Sequence, residues 1–367
     1  MKDSEIILEI LPTKSNPRNS EGAFIKLKNG SLLFVYSRFH DDAADDGPAV
    51  IASCTSHDDG QTWEIVEKPL VENGNYVNVM SPSLLRSQSD ELLLFYLVKD
   101  STTVFHQELR RSSDEGATWS APIITSTELG AVGQVNDSVI RLSTGRIVAP
   151  RNWFFVKEDK DESLTTHDTE FWQSAVGITA ISDDDGWTWK TSKPIMPPPD
   201  SASGLDEPSL VELKDGRLWQ LFRTDLGRQW QSFSEDGGES WSPAEPSVFE
   251  SAAAPLGITR IPQTGHLLAV WNDSSGRFPL PDKADYEVHW MRTTLVSAIS
   301  EDEGETWKHH RAIEHDFKHG YCYPNFYFGD DHLLLGYCAG GPEFGPVQCV
   351  LARLRMRRIT LDWLYEK

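Results

Sequence analysis

The stretch Ser56-His57-Asp58-Asp59-Gly60-Gln61-Thr62-Trp63 decides the fold, because its pattern returns along the chain. Ser-x-Asp-x-Gly-x-(Thr/Ser)-Trp recurs at residues 112–119, 182–189, 234–241 and 300–307, with Ser240 in the threonine slot of the fourth copy. The chemistry is that of a β-hairpin tip. Serine and aspartate oxygens accept from nearby backbone N–H groups and hold a turn. Glycine takes the left-handed conformation that the turn needs. Tryptophan covers the apolar end of the hairpin with a large ring.

A second repeat interlocks with the first: a short strand, a tight turn, then a very apolar strand. Its six copies span 23–38 around Asn29-Gly30, 83–98 around Ser89-Asp90, 138–153 around Thr144-Gly145, 209–223 around Asp215-Gly216, 258–272 around Thr264-Gly265 and 325–338 around Asp330-Asp331. Such pairs between apolar runs are hairpin signals. The second strands, such as Ser31-Leu32-Leu33-Phe34-Val35-Tyr36, read as buried on both faces. Six inner hairpins, five of them followed by the repeated phrase, predict an all-β, six-bladed β-propeller of four-stranded antiparallel blades. Residues 1–367 read as a single domain, with 347–356 and 359–363 as the last strands and 5–11 pairing beside them to close the ring. The insertions at 156–169 and 275–290 read as lids over the binding face.

The 367 residues carry 34 basic against 56 acidic side chains, a net charge of −22. That balance gives no footprint for nucleic acid or an anionic membrane surface, so any bound anion needs a local arginine cluster. The N-terminus lacks the apolar core of about 7–15 residues that a secretory signal requires. No stretch approaches the roughly 18 apolar residues of a membrane span. The expected setting is cytoplasmic. The four cysteines have no metal-type spacing and read as reduced, partly buried thiols, so neither metal nor cofactor is expected.

In a propeller the inner strands converge on the axis. Counting back eight or nine residues from each hairpin turn reaches Glu21, Ser81 (near Asn78), Asn136, Glu207, Leu256 and Tyr323. Five of these six positions are polar, which suggests a pocket. Arginines add to it: Arg18 precedes the first inner strand, and Arg38, Arg151 and Arg223 end apolar second strands, with Trp271-Asn272-Asp273 at an equivalent point. An arginine ending a buried strand needs an anionic partner. That partner is either an internal acid or a ligand carboxylate gripped by the guanidinium fork.

The repeated phrase resembles the Asp box, or BNR repeat, of the sialidase superfamily, where it lies on the rim of a propeller away from the ligand. The resemblance extends over nearly the whole chain. Exo-sialidases carry two arginines about an apolar hairpin, like Arg18 and Arg38, and then an acid/base aspartate, like Asp45 or Asp46. They carry a glutamate that opens a hairpin ending in arginine, like Glu207 and Arg223. A further arginine leads into the last Asp box, like Arg292, and a tyrosine starts the last inner strand, like Tyr323. The resemblance therefore implies a retaining hydrolase of a terminal acidic sugar, sialic acid or a related 2-keto sugar acid. Tyr323 and Glu207 would be the nucleophile pair, and Asp45 or Asp46 the acid/base. Arg18, Arg38, Arg223 and Arg292 would bind the substrate, joined by Glu21, Asn78 and Asn136. One departure stands out: the family's usual Arg-Ile-Pro is here Arg18-Asn19-Ser20-Glu21. Asp225 is a further polar group outside the pattern, and Tyr321 rivals Tyr323. Two alternatives remain: a lyase or hydrolase on uronic-acid glycans, with His40, His106, His167 or His319 as base, and a non-catalytic sugar-binding propeller.

Overall fold

The computed structural model describes residues 3–126, 128–154, 174–279, 292–345 and 349–366. Strand β1 (Ser4–Ile10) opens the chain. Strands β2 (Arg18–Lys26), β3 (Leu32–Phe39), β4 (Ala49–Ser56) and β5 (Glu64–Val71) form an antiparallel sheet in chain order. Next come β6 (Asn78–Arg86), β7 (Leu92–Lys99), β8 (Phe105–Ser112), β9 (Ile123–Ile124), β10 (Ala131–Gly133), β11 (Ile140–Arg141), β12 (Ile147–Phe154), β13 (Val176–Ser182) and β14 (Lys190–Thr191), all in one nine-stranded sheet. Strands β15 (Asp206–Glu212), β16 (Leu218–Arg223), β17 (Arg228–Ser234) and β18 (Glu245–Glu250) make another four-stranded sheet. So do β19 (Gly257–Arg260), β20 (Leu267–Asn272), β21 (Thr294–Ser300) and β22 (Lys308–His315). The last sheet runs β23 (Gly320–Phe328), β24 (His332–Gly340), β25 (Leu354–Thr360) and then β1, so the N-terminal strand completes the C-terminal sheet as the sequence predicts.

Two expectations change. Six separate four-stranded units were expected, but the structure has four such sheets and one of nine strands. The cause is β10, which pairs with β12 on one side and, through the single pair Ala131↔Phe105, with β8 on the other. It thereby bridges the runs β6–β9 and β11–β14. The C-terminus also differs. Strands were expected at 347–356 and 359–363, but one strand ends at Thr360 and a short helix, α1 (Leu361–Tyr365), follows. The Thr360 hydroxyl caps it by accepting from the Trp363 N–H. Residues 156–169 and 280–290 of the expected lids lie outside the described residues.

The core consists of apolar clusters shared between neighbouring units. Leu33 and Val35 meet Leu92 and Leu94, and Leu93 and Phe95 meet Ile147 and Ala149. Val148 meets Leu210 and Leu218, Leu221 meets Leu267 and Ala269, and Leu268 and Val270 meet Leu333 and Leu335. Phe34 and Tyr36 then meet Leu334 and Met356, joining the first sheet to the last. Each such side chain contributes about 1.5–3 kcal/mol on full burial.

The repeated phrase forms the turn between the third and fourth strands of its unit. Gly60 N–H and Thr62 N–H donate to Ser56 Oγ and Asp58 Oδ1, both at 2.9 Å, and Thr62 Oγ1 donates to Asp58 Oδ2 at 2.6 Å. Gly60 takes φ 83°, and the Trp63 indole donates to its carbonyl at 3.1 Å. The five tryptophans then pack into the clusters shared with the preceding unit, and Trp63 packs into the cluster that joins first sheet and last. The turns also fasten neighbours together: Glu115 accepts from Lys28 N–H and Glu303 from Lys214 N–H, each at 2.8 Å.

Candidate active site

The inner strands share a local irregularity. Register slips by one residue between Ser20 and Gly22 on β2, Met80 and Ser83 on β6, Asp206 and Ser209 on β15, and Cys322 and Asn325 on β23. Each slip is a bulge with one extra residue on the inner strand. At these bulges Glu21, Ser81, Glu207 and Tyr323 adopt φ of 35°, 52°, 41° and 57°. Three of the four precede a proline (Pro82, Pro208, Pro324), which has no N–H to lose from the ladder. After Glu21 comes Gly22 instead, because a Cβ there would meet the Phe34 ring at 2.1 Å. The bulges re-aim all four side chains into one cavity of about 280 Å³.

On one wall the Tyr323 hydroxyl donates to Glu207 Oε1. Glu207 Oε2 in turn accepts from Arg223 Nη1 at 2.7 Å. Arg292 lies beside them, its guanidinium carbon 6.0 Å from the Tyr323 ring centre, donating to Ala253 O at 2.8 Å and to Cys322 Sγ at 3.4 Å. Asn272 Nδ2 ties the backbones that carry these groups, donating to Arg292 O at 3.0 Å and Tyr321 O at 2.9 Å. Burial, and after it the charge of Glu207, pushes the Tyr323 phenol well above its ordinary range. It is therefore a neutral hydroxyl with a carboxylate against it. Burial opposes the charge on Arg223, but Glu207 and Asp206 outweigh it and hold its pKa high. Asp206 also lines the cavity, and burial plus the Glu207 charge raises it to about 7.

Glu21 and Asp45 line the same cavity. Behind them Arg18 is fully buried and does not line the cavity. Its Nη1 donates to Asp45 Oδ1 at 2.5 Å and to Ala43 O at 3.3 Å, Nη2 to Glu21 Oε1 at 2.8 Å, and Nε to Ser20 Oγ at 2.9 Å. Its face packs on the Phe39 ring at 4.1 Å. Burial raises the Glu21 pKa while Arg18 pulls it back.

The structure thus gathers Tyr323, Glu207, Arg223, Arg292, Glu21 and Asp45 around one cavity and leaves the other expected residues outside it. Asp46 turns to Lys99 Nζ at 3.1 Å. Arg38 lies in a separate cleft with His40 and donates to Glu67 O at 3.1 Å. Asn78 is buried and holds the Asp45 loop by donating to Asp45 O at 2.8 Å and Gly47 O at 2.9 Å. Asn136 donates to Gly22 O at 2.8 Å and lines an adjoining cavity of about 460 Å³. Arg151 donates to Thr125 O at 2.7 Å, and Asp225 accepts from Ser201 Oγ at 2.5 Å. Tyr321 packs with Tyr337 in the core, which leaves Tyr323 as the tyrosine of the cavity. His106 and His319 pair with Asp100 and Asp316 away from the cavity, and His167 lies outside the described residues. Cys54, Cys322 and Cys338 are buried free thiols, as expected.

Asp206, Lys99, Gln134 and Asn152 line the cavity without having been singled out in the sequence. Lys99 ends an apolar second strand as Arg223 does, and Asp206 adjoins Glu207; both signals were available. Among the described residues no cluster of metal-ligating side chains occurs, and no helix is long and apolar enough to cross a membrane.

The family described as "BNR repeat-like domain" matches residues 51–335. No curated protein matches the chain in sequence. Among solved structures, a protein of unknown function from Dyadobacter fermentans is similar with a TM-score of 0.70 at 18% identity, covering 98% of this chain and 100% of that one. The NanB sialidase of Streptococcus pneumoniae gives 0.71 at 14% identity, covering 98% and 71%. The intramolecular trans-sialidase of Ruminococcus gnavus gives 0.70 at 13% identity, covering 98% of both chains. With the family match spanning most of its length, the chain belongs to the BNR repeat-like domain family, and it shares its fold with these sialidases.

Proposed function

We propose that this sialidase-like BNR-repeat protein is a retaining glycosidase that removes a terminal acidic sugar, built on a six-bladed propeller. The clusters shared around the series of units, ending with Phe34 against Leu334, support the ring. The hydrogen bond from Tyr323 to Glu207, beside Arg223 and Arg292, is the observation that carries the chemistry. A substrate carboxylate meets the two guanidinium groups that line the cavity. It would repel an anionic nucleophile, whereas a neutral phenol avoids that repulsion.

The reaction runs in two steps. The Tyr323 oxygen bonds to the anomeric carbon as its proton passes to Glu207. The glycosidic bond breaks, and the departing oxygen takes a proton from Asp45, which also lines the cavity. Water then attacks the sugar–tyrosine bond, giving its proton to Asp45, and the tyrosine oxygen recovers the proton held by Glu207. Asp45 is preferred over Asp46 because it lines the cavity, while Asp46 is held by Lys99.

The test is a set of fluorogenic glycosides of sialic acid, other 2-keto sugar acids and uronic acids, assayed with wild type and Tyr323→Phe. Turnover on at least one, lost in the variant while the free sugar still binds, is expected. A folded wild type that cleaves none of them, or a variant with wild-type turnover, defeats the reading.

A further inference from the structure

The part of the cavity lined by Glu21 and Asp45 has the wrong sign for an anion clamp. The first arginine of the chain, which a carboxylate-binding site would use, is enclosed. Both of its terminal nitrogens are occupied by Asp45, Ala43 O and Glu21, its Nε by Ser20, and one face by Phe39. The cavity meets Glu21 and Asp45, not Arg18. The placement of Glu21 is built in: it sits on the β2 bulge at φ 35°, its second oxygen accepts from Ser20 Oγ, and Gly22 leaves room for the Phe34 ring beneath. The chain supplies, from the side chain of Glu21, a carboxylate that Arg18 binds.

We infer that Glu21 determines specificity: it withdraws Arg18 from anion binding and presents an acceptor to the substrate. The site therefore takes a sugar whose one carboxylate is held by Arg223 and Arg292 and which turns a hydroxyl, not a second anionic or an apolar group, toward the Glu21–Asp45 wall. This rests on the acidic-sugar reading and adds to it which face of the sugar is recognised. The charges agree. Glu21, Asp45, Asp206 and Glu207 line the cavity with Arg223, Arg292 and Lys99; Glu207 is bonded to Tyr323, whereas Glu21 and Asp45 are bonded to Arg18. A carboxylate offered to Glu21 meets like charge, with the Arg18 guanidinium beside it already occupied. A hydroxyl donating to Glu21 completes a charge-assisted hydrogen bond instead.

The experiment measures binding of free N-acetylneuraminic acid by calorimetry, so no turnover is required. Wild type is compared with Glu21→Ala, Glu21→Gln, Arg223→Ala and the paired variant Arg18→Met/Glu21→Gln, each checked for a cooperative melt. Removing the internal carboxylate exposes a third guanidinium, so Glu21→Ala gains about 10-fold or more in affinity, the worth of a hydrogen bond to a charged group. Glu21→Gln, which keeps the side-chain shape, gains in the same direction. The paired variant, which has neither charge, binds as wild type does, and Arg223→Ala binds worse. Absence of a gain in both Glu21 variants overturns the inference. So does a paired variant that loses as much as Arg223→Ala, because Arg18 would then be holding the ligand in the wild type. Glycoside turnover by the wild type without that gain defeats this inference alone. A gain without turnover on any glycoside defeats the hydrolase reading and leaves the inference standing.

Discussion

Asp137 offers a quantitative test of the packing between the third unit and the last. Its carboxylate lines the larger cavity and accepts from the Phe326 N–H at 3.0 Å, joining the third unit to the last. Burial raises its pKa from 3.8 to about 7, opposed only by that one hydrogen bond. Arg141, Glu212 and Arg260 line the same cavity, but Arg141 and Arg260 are paired with Asp185 and Glu303, and Glu212 accepts from Ser143. At about 1.36 kcal/mol per pH unit, the displacement amounts to roughly 4 kcal/mol against the ionised form. The sign follows from its direction. A carboxyl raised in the folded state contributes stability that is fully present below pH 3.8 and is lost as pH rises through about 7. Asp137→Asn keeps an acceptor for Phe326, tolerates the φ of 52°, and cannot ionise. Urea unfolding of both proteins between about pH 5.5 and 8 should therefore show the variant gaining on wild type by about 2 kcal/mol across the range. Asp206, also raised to about 7, titrates in both proteins and cancels in the difference. A constant gap across that range would mean that water in the cavity solvates Asp137, and would refute the buried-carboxyl argument.

Two further outcomes separate the roles assigned above. Asp45→Asn should lower turnover by about 10²–10⁴-fold, as loss of a general acid/base does, while Asp46→Asn leaves it near wild type; the reverse order in a steady-state assay would exchange the two assignments. Asp184→Ala removes the acceptor of Thr188 N–H at 2.8 Å, Thr188 Oγ1 at 2.6 Å and Ser182 Oγ at 2.9 Å. The site is exposed, so a loss of about 1–2 kcal/mol in chemical denaturation is expected, with kcat unchanged; a folded variant of altered kcat would place the turn in the chemistry.

The turns and inner hairpins were legible because each is local: a serine, an aspartate and a glycine within five residues close their own hydrogen bonds. Tyr323, Glu207, Arg223 and Arg292 were legible from their order along the chain. What failed was parity. Arg223 stands opposite Asp206, the residue before the β15 bulge, and the matching partner on β3 is Ser37, opposite Ser20. Arg38 lies one position further on, and a one-residue step turns a strand side chain to the other face. Hence Arg38 reaches Glu67 O, while Ser37 Oγ stays on the site side and accepts from Ser81 N–H at 2.9 Å. Asn136 failed by the same margin: the residue with positive φ is its neighbour Asp137. The enclosure of Arg18 needed three dimensions, since Asp45 reaches it from 27 positions away.

The recurrence of one backbone irregularity connects the fold to the chemistry. A non-glycine residue held at positive φ costs about 1–3 kcal/mol, yet Glu21, Ser81, Asp137, Glu207 and Tyr323 all adopt it on the inner side of their units. Only two of the five, Glu207 and Tyr323, make the proposed nucleophile pair, so that chemistry alone does not account for the strain. At four of the five it belongs to a bulge by which the first strand of a unit bends beside the cavity, with a proline or a glycine placed after it to fit. It supplies aimed positions whose side chains are free to vary. A single substitution at such a position alters what the cavity recognises without disturbing a ladder hydrogen bond or an apolar cluster. Glu21 is the case in point: at that position a side chain without charge would leave the same β2–β3 hairpin and Arg18 with Asp45 as its remaining anionic partner. The similar solved structures keep the fold at 13–18% identity. At that distance the architecture is retained while the residues on the bulges are free to differ, and with them the groups the cavity presents.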